Sequence, residues 1–185
     1  MKRLRFAPVL LAAGLLTGCA SDGNVSDKSY LRAAVIGRDT VTLAFFSEED
    51  EPVTVAADSP EAARTAAELA GGHKIFTGYT ELIVLDGCDS AATLDFMLSE
   101  WKVSPSCIVA CPVGDGAALL SARKPEELEG AVKVAQAQEL LGRCDIVTVL
   151  GGLLSGDRRA EVPELSREGF VGTSEIRNSG FGMRN

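Results

Sequence analysis

The amino-acid sequence predicts an α+β fold in which helices pack on a mixed β-sheet. Two observations support this prediction. The predicted elements follow the order strands, helix, strand, helix, strand, helices and short strands. Alanine and glycine are abundant and only 5% of the residues are aromatic, which favours helices packed closely on a sheet over an aromatic-rich β-sandwich. The 185 residues suffice for one domain with a substantial core.

Three strands and one helix are predicted at the start of this domain. Residues 30–37 and 40–46 are rich in β-branched and apolar side chains and are joined by a hairpin turn through Gly37, Arg38 and Asp39. Residues 52–57 alternate as a third strand. A helix then begins with Ser59 as its N-cap and ends at a Gly-Gly pair. Four alanines are expected to face the sheet: Ala63, Ala66, Ala67 and Ala70.

A long apolar segment and a second helix follow. Residues 75–85 are predicted to form one central strand, in which Gly78 marks a bulge or a close backbone contact. Ser90 is predicted to cap a helix that extends to Trp101, and residues 106–111 form the next strand.

The last part of the chain is predicted to be helical and then extended. Residues 145–154 are ambiguous, because β-branched residues favour a strand while Asp145 is suited to cap a helix. The other predicted elements are a short helix over 114–121, a helix from Lys124 that ends at Gly142, and short edge strands over 158–162 and 172–177.

Residues 1–18 have the pattern of a secretory signal peptide. Lys2, Arg3 and Arg5 precede an apolar run over residues 6–16. At ~1.5 Å per residue this run spans roughly 16 Å, about half of the hydrocarbon core of a bilayer. The run therefore indicates a cleaved leader rather than a spanning helix.

The residues that close this run, Leu16, Thr17, Gly18 and Cys19, resemble the lipobox of bacterial lipoproteins. The resemblance implies that the Cys19 thiol is diacylated and becomes the first residue after cleavage. Two acyl chains, at ~0.8 kcal/mol per buried CH₂, give stable anchoring. The alternative is an ordinary signal peptide with a chance cysteine. Residues 19–29 are then a lipidated N-terminus and a flexible tether, and residues 30–185 form the single domain.

The chain is acidic, with a formal net charge of −8, and loss of the three basic leader residues makes it about −11. This charge excludes nucleic acid as a partner and is repelled by an anionic membrane surface. Lipid, rather than surface charge, must therefore hold the domain at a membrane.

The four remaining cysteines, Cys88, Cys107, Cys111 and Cys144, permit two disulfides outside the cytoplasm. Because Cys107 and Cys111 lie in a predicted buried strand, buried thiols are favoured over disulfides. These two are about 13 Å apart on a strand and cannot bridge each other. A zinc site made from these cysteines and the single histidine, His73, lacks the usual ligand spacing.

Other residues give few catalytic signals. His73 is predicted to lie in a surface turn, and the sequence contains no nucleophile-elbow or phosphate-loop motif. The acidic segment 47–51 lacks the spacing of a calcium loop and is predicted to be a solvated loop. Cys88 follows a strand end and is a candidate reactive thiol, although no cation is predicted beside it to lower its pKa. We therefore assign no catalytic residue, metal or cofactor.

The order of these segments resembles the N-terminal domain of the Ger(x)C spore-germination lipoproteins. Tyr79 stands where that family often has histidine. The segments that carry the resemblance are SPEAA at 59–63, KIFTGYTELIVL at 74–85, LDFML at 94–98, VSP at 103–105, the strand 107–111 and EVPEL at 161–165.

The resemblance implies a lipoprotein on the extracytoplasmic face of the cell membrane that becomes the spore inner membrane. Its implied partners are the A- and B-type integral membrane subunits of a germinant receptor. It implies no enzymatic activity, and it favours a helix over residues 145–154. The C-terminal domain of the family is expected to be absent from this chain.

Two other functions remain open. One is that of a generic extracytoplasmic lipoprotein that binds a small ligand or an envelope partner, which predicts a deep apolar pocket. The other is a thiol-dependent enzyme that uses Cys88, which predicts a reactive thiol in the folded protein.

Overall fold

A computed structural model describes residues 28–47 and 51–178. These residues form five helices and an eight-stranded mixed β-sheet, which confirms the predicted α+β fold. The predicted leader, the predicted lipobox and most of the predicted tether lie outside the described residues, as do residues 48–50 of the acidic segment. The strands are β1 Lys28–Gly37, β2 Thr40–Phe45, β3 Val53–Ala56, β4 Lys74–Phe76, β5 Leu82–Asp86, β6 Ile108–Pro112, β7 Arg159–Ser166 and β8 Gly169–Arg177. The helices are α1 Pro60–Gly71, α2 Ser90–Ser99, α3 Gly116–Ala122, α4 Pro125–Ala137 and α5 Ile146–Leu154.

The sheet has a parallel centre and antiparallel flanks. Its strand order is β3-β2-β1-β5-β6-β7-β8, and β4 pairs with the start of β1. β1, β5, β6 and β7 run parallel, whereas β2, β3 and β8 are antiparallel to their neighbours. The parallel strands therefore end together at one edge, the carboxyl end, and begin together at the other, the amino end.

Helices cover both faces of the sheet. Val35 and Ile36 are consecutive in β1 and point to opposite faces. Gly116 at the start of α3 lies so close to Val35 that a Cβ there would be 2.5 Å from the valine methyl group. Ile36 instead borders a cleft shared with the starts of α1 and α2. Both faces are thus buried, which explains the uninterrupted apolar runs over residues 33–36 of β1 and residues 82–85 of β5.

Local capping explains where the helices begin. The hydroxyl of Ser59 accepts a hydrogen bond from the N–H of Ala62 at 3.3 Å, so the predicted N-cap of α1 is confirmed. The cap of α2 is Asp89, whose carboxylate accepts from Ala92, and the expectation that Ser90 caps it is wrong by one residue. The ambiguous segment 145–154 is a helix, α5, with Asp145 as its cap.

The expectation of one strand over residues 75–85 is wrong. The segment forms β4 and β5 separated by a turn, in which the N–H of Thr80 donates to the carbonyl of Thr77 at 3.1 Å. The Thr77 hydroxyl donates to the carbonyl of Trp101 and fixes this turn against the end of α2. Gly78 does make the close approach expected of it, because a Cβ there would lie 3.0 Å from the Phe76 ring.

The final strands are longer than predicted. β7 continues through Pro163 to Ser166 and forms a hairpin with β8 from Gly169. Pro163 is tolerated within the strand because the pairing of β7 with β6 is restricted to Glu164 and Leu165.

Three further expectations need correction. Of the four alanines expected to face the sheet, Ala63 and Ala67 are buried, whereas Ala66 and Ala70 are exposed. α4 ends at Ala137, before Gly142. Lys28 and Ser29 belong to β1 rather than to the tether, because they pair with β4.

Candidate functional sites at the two ends of the sheet

An open cleft of about 400 Å³ lies at the carboxyl end of the sheet. Gly37 and Gly87 form an isolated bridge beside it, and Gly87 has a φ of 73°, which suits glycine. The starts of α1 and α2 border the cleft, so backbone N–H groups lie close to it. The polar and small residues of its lining include Gly37, Arg38, Ser59, Cys88, Asp89 and Thr93.

The carboxylates at this end are engaged in holding the fold. Asp86 accepts a hydrogen bond from the N–H of Gly116 at 3.0 Å, which ties the end of β5 to the start of α3. Asp115 caps α3 through the N–H groups of Ala117 and Ala118. Within residues 28–47 and 51–178, no three or more His, Cys, Asp or Glu side chains come together in a way that could hold a metal ion.

The four cysteines of the described domain are free thiols. Burial raises the pKa of Cys88, although a hydrogen bond with Thr93 acts in the opposite direction. Burial raises the pKa of Cys111 to about 11, and the neighbouring Cys88 thiol adds to the rise. Burial likewise raises the pKa of Cys144 to about 11 and raises that of Cys107 further. These thiols are therefore protonated at neutral pH, which is unfavourable for nucleophilic attack.

His73 lies in the short connection between α1 and β4 and is exposed, as the sequence predicts. Its place is at the amino end of the sheet, whereas Cys88 lies at the carboxyl end. The structure therefore does not bring the single histidine and the candidate reactive thiol together.

An exposed aromatic cluster, formed by Tyr30, Phe76 and Tyr79, stands at the amino end. Ring centroids are separated by 5.7 Å between Tyr30 and Phe76, 5.9 Å between Tyr30 and Tyr79, and 5.1 Å between Phe76 and Tyr79. Phe76 is 42% exposed and Tyr79 is 61% exposed. The parallel pairing of β1 with β4 places Tyr30 beside Phe76. The turn after β4 then brings Tyr79 into contact with both of these rings.

Charged side chains surround this cluster. Lys28 and Lys74 are paired neighbours in β1 and β4, and both are exposed. Lys74 forms an ion pair with Glu68 at 2.9 Å. Partial burial raises the pKa of Glu68, but hydrogen bonds from the N–H of Ile75 and from Lys74 outweigh it, so that the pKa is lowered overall.

Arg32 links this end of the sheet to α4. Its guanidinium forms ion pairs with Glu81 at 3.0 Å and with Glu126 at 3.3 Å. The same group lies over the ring of Phe46, 4.9 Å from its centroid.

The aromatic cluster is a feature that the sequence analysis missed. A single strand over residues 75–85 places Phe76 and Tyr79 on opposite faces, because they are three residues apart. The useful signal is Gly78, which interrupts an otherwise β-rich segment and here permits a turn.

No family model, curated protein or solved structure matches this chain. Across the described ranges, the helices are too short or too polar to cross a membrane. Leu16, Thr17, Gly18 and Cys19 lie outside those ranges, so the lipidation site remains a prediction from the sequence.

Proposed function

We propose that this chain is a membrane-anchored lipoprotein subunit of a spore germinant receptor. It acts on the extracytoplasmic face of the spore inner membrane by assembling with A- and B-type integral membrane subunits. The observation that carries this proposal is the lipobox at Leu16 to Cys19, followed by segments that resemble the Ger(x)C N-terminal domain.

The arrangement of the described domain supports an assembly role. β1 begins at Lys28, so a short segment connects the domain to Cys19. The buried thiols have raised pKa values, and His73 lies at the other end of the sheet from Cys88. A tethered domain whose reactive groups are dispersed is suited to binding a partner rather than to catalysis.

The anchor is tested by expressing the full chain and its Cys19→Ala variant in a bacterium that processes lipoproteins. We expect the parent to fractionate with membranes and to yield a diacylated N-terminal peptide by mass spectrometry. Cys19→Ala should lose both properties, whereas the control Cys88→Ala should retain them. A parent chain without acyl groups would contradict the anchor.

Assembly is tested in a spore former that carries this gene. Deletion should slow the germinant response, and the parent gene should restore it while the Cys19→Ala gene should not. The A- and B-type subunits should co-purify with the tagged chain from detergent-solubilised spore membranes. A normal response in the deletion strain, with no co-purified subunits and no compensating paralogue, would refute the receptor assignment.

The carboxyl-end cleft favours a second function, that of a generic envelope lipoprotein that binds a small ligand. The expectation of a deep apolar pocket is wrong for this cleft, which is open and partly polar; its volume of about 400 Å³ and its lining by Arg38, Ser59 and Thr93 instead suit a small polar ligand. A panel of small anionic and polar compounds should raise the melting temperature of the parent and not that of Arg38→Ala. Lys133→Ala, in an exposed part of α4, is the control. If no compound stabilises the parent, this function is excluded for the panel used.

A further inference from the structure

We infer that the aromatic cluster of Tyr30, Phe76 and Tyr79 rests on the lipid bilayer at the level of the headgroups. The domain is then held with the amino end of its sheet toward the membrane and the carboxyl end away from it. This inference rests on the lipid anchor proposed for Cys19 and extends it from an attachment point to a defined orientation.

The first argument is the position of the cluster relative to the anchor. Tyr30 is the third residue of β1, which begins at Lys28. Nine residue steps separate Cys19 from Lys28, and at ~3.3–3.6 Å each they reach at most about 30 Å. β1 has ten residues and carries the opposite end of the sheet roughly 30 Å further along the strand. The anchor therefore keeps the amino end near the bilayer, whereas the carboxyl end reaches it only if the tether is almost fully extended.

The second argument is the chemistry of the exposed rings. The chain has two tyrosines, and both belong to this cluster. Tyrosine combines an apolar ring with a polar hydroxyl and is enriched at membrane–water interfaces. Phe76 and Tyr79 are respectively 42% and 61% exposed although they contact each other, so they form a patch rather than scattered apolar residues.

The third argument is the local charge. Lys28 and Lys74 flank the cluster, and lysines near a membrane surface are attracted to anionic lipids. Glu68 offsets part of the charge on Lys74, and Glu51 borders a cleft at the same end. The positive charge of the two lysines is therefore partly neutralised by acidic residues. The aromatic rings supply most of the contact with the bilayer, and the lysines orient the domain on it.

The inference is tested with the full lipidated protein reconstituted into phosphatidylcholine vesicles, with and without phosphatidylglycerol. An environment-sensitive fluorophore is attached at Lys102→Cys, beside Gly78 and the cluster, or at Val113→Cys, at the carboxyl end. Both positions are exposed, and the raised pKa values of the four native thiols favour labelling of the new one. We expect a blue shift and quenching by spin-labelled lipid at position 102, and neither effect at position 113.

A second comparison separates the cluster from the anchor. Phe76→Ser with Tyr79→Ser should abolish the shift at position 102 while the protein stays on the vesicles through its lipid. Val113→Ser with Val171→Ser removes two comparably exposed apolar side chains at the carboxyl end and should leave the shift unchanged.

The outcomes distinguish the inference from the proposed anchor. Equal emission at positions 102 and 113 on a protein that mass spectrometry shows to be diacylated would overturn the inference and leave the anchor intact. A protein without acyl groups would overturn both. A shift at position 102 that needs no lipid and accompanies dimerisation in detergent would assign the cluster to a second copy of the chain and also overturn the inference.

Discussion

The two ends of the sheet use their side chains in opposite ways. At the carboxyl end, Asp86 and Asp115 are bonded to the start of α3, and Cys88 and Cys111 are partly buried. At the amino end, Tyr79 and Phe76 stay exposed beside two lysines. The carboxyl end is where ligands usually bind in open α/β sheets. In this domain the exposed aromatic cluster lies at the other end, so the contact that we propose is not at the usual location of a ligand site.

The largest effect is expected at the thiols of the carboxyl end. A rise in the pKa of Cys111 from 9.0 to about 11 lowers its thiolate fraction about 100-fold near pH 8. A thiolate of higher pKa is more nucleophilic, which offsets roughly tenfold of this loss, so alkylation by iodoacetamide, followed by mass spectrometry, should be on the order of tenfold slower in the folded domain than in urea. Cys88 should also be slowed, since burial raises its pKa. Alkylation of folded Cys88 as fast as in urea would revive the thiol-enzyme hypothesis.

Two adjacent glycines of α5 test the packing near the amino end. A Cβ at Gly152 would lie 2.7 Å from the carbonyl oxygen of Arg159, whereas a Cβ at Gly151 would meet nothing within 4 Å. Gly152→Ala should lower the free energy of unfolding by about 1–3 kcal/mol through overpacking. Gly151→Ala should raise it by up to about 1 kcal/mol, because alanine favours a helix. Urea denaturation measures both, and equal values would contradict the approach of α5 to β7.

The cap of α5 gives a smaller effect that depends on pH. Partial burial raises the pKa of Asp145, but hydrogen bonds from Thr148 and Arg143 outweigh it and lower the pKa overall. The pKa of the Asp145 carboxyl is therefore lower in the folded protein than in the unfolded protein, where it is about 3.9, so the ionised carboxylate stabilises the fold above that pH. This stabilisation is lost as the pH falls through the pKa of the folded protein. Asp145→Ala should cost about 1 kcal/mol at pH 7 and less below pH ~4. Asp145→Asn keeps a hydrogen-bond acceptor and should lower the free energy of unfolding by less than Asp145→Ala at pH 7. If the effect of Asp145→Ala does not change with pH, the charge of Asp145 contributes nothing to stability.

The smallest effect is expected for the aromatic cluster in the absence of lipid. Tyr79→Ser should lower the free energy of unfolding by less than about 1 kcal/mol, because the ring is 61% exposed and its ring contacts are individually weak. Leu31→Ala, in the buried part of β1, should cost about 2–5 kcal/mol. Urea denaturation compares the two, and a cost above 2 kcal/mol for Tyr79→Ser would make the cluster a part of the folding core.

The sequence is informative where structure is decided locally. Ser59 and Pro60 define the start of α1 because a cap and a proline act within one turn. The division between β4 and β5 has one local signal, Gly78, but the turn is also fixed by a distant contact, the hydrogen bond from the Thr77 hydroxyl to the carbonyl of Trp101. Pro163 also depends on a distant contact. A proline is tolerated at this position of β7 because β6 pairs with β7 only at Glu164 and Leu165.

The candidate sites follow the same rule. Exposure of His73 is predictable because it lies in a short connection after a Gly-Gly pair. The aromatic cluster is not, because Tyr30 meets Phe76 and Tyr79 through sheet pairing across more than forty residues of sequence. The lipobox is a linear motif and needs no fold to be recognised, but its processing is a prediction that the described residues do not test.

The central position of β1 also has a mechanical consequence. β1 is bonded to β2 along one edge and to β4 and β5 along the other. A force applied at Lys28 along the strand loads these hydrogen bonds together, in shear, whereas an edge strand pulled in the same way is held by hydrogen bonds along one side only. If Cys19 is held by lipid, a force that pulls the domain away from the membrane acts on β1, which is hydrogen-bonded along both of its edges. The anchor can then transmit this force without unfolding the domain.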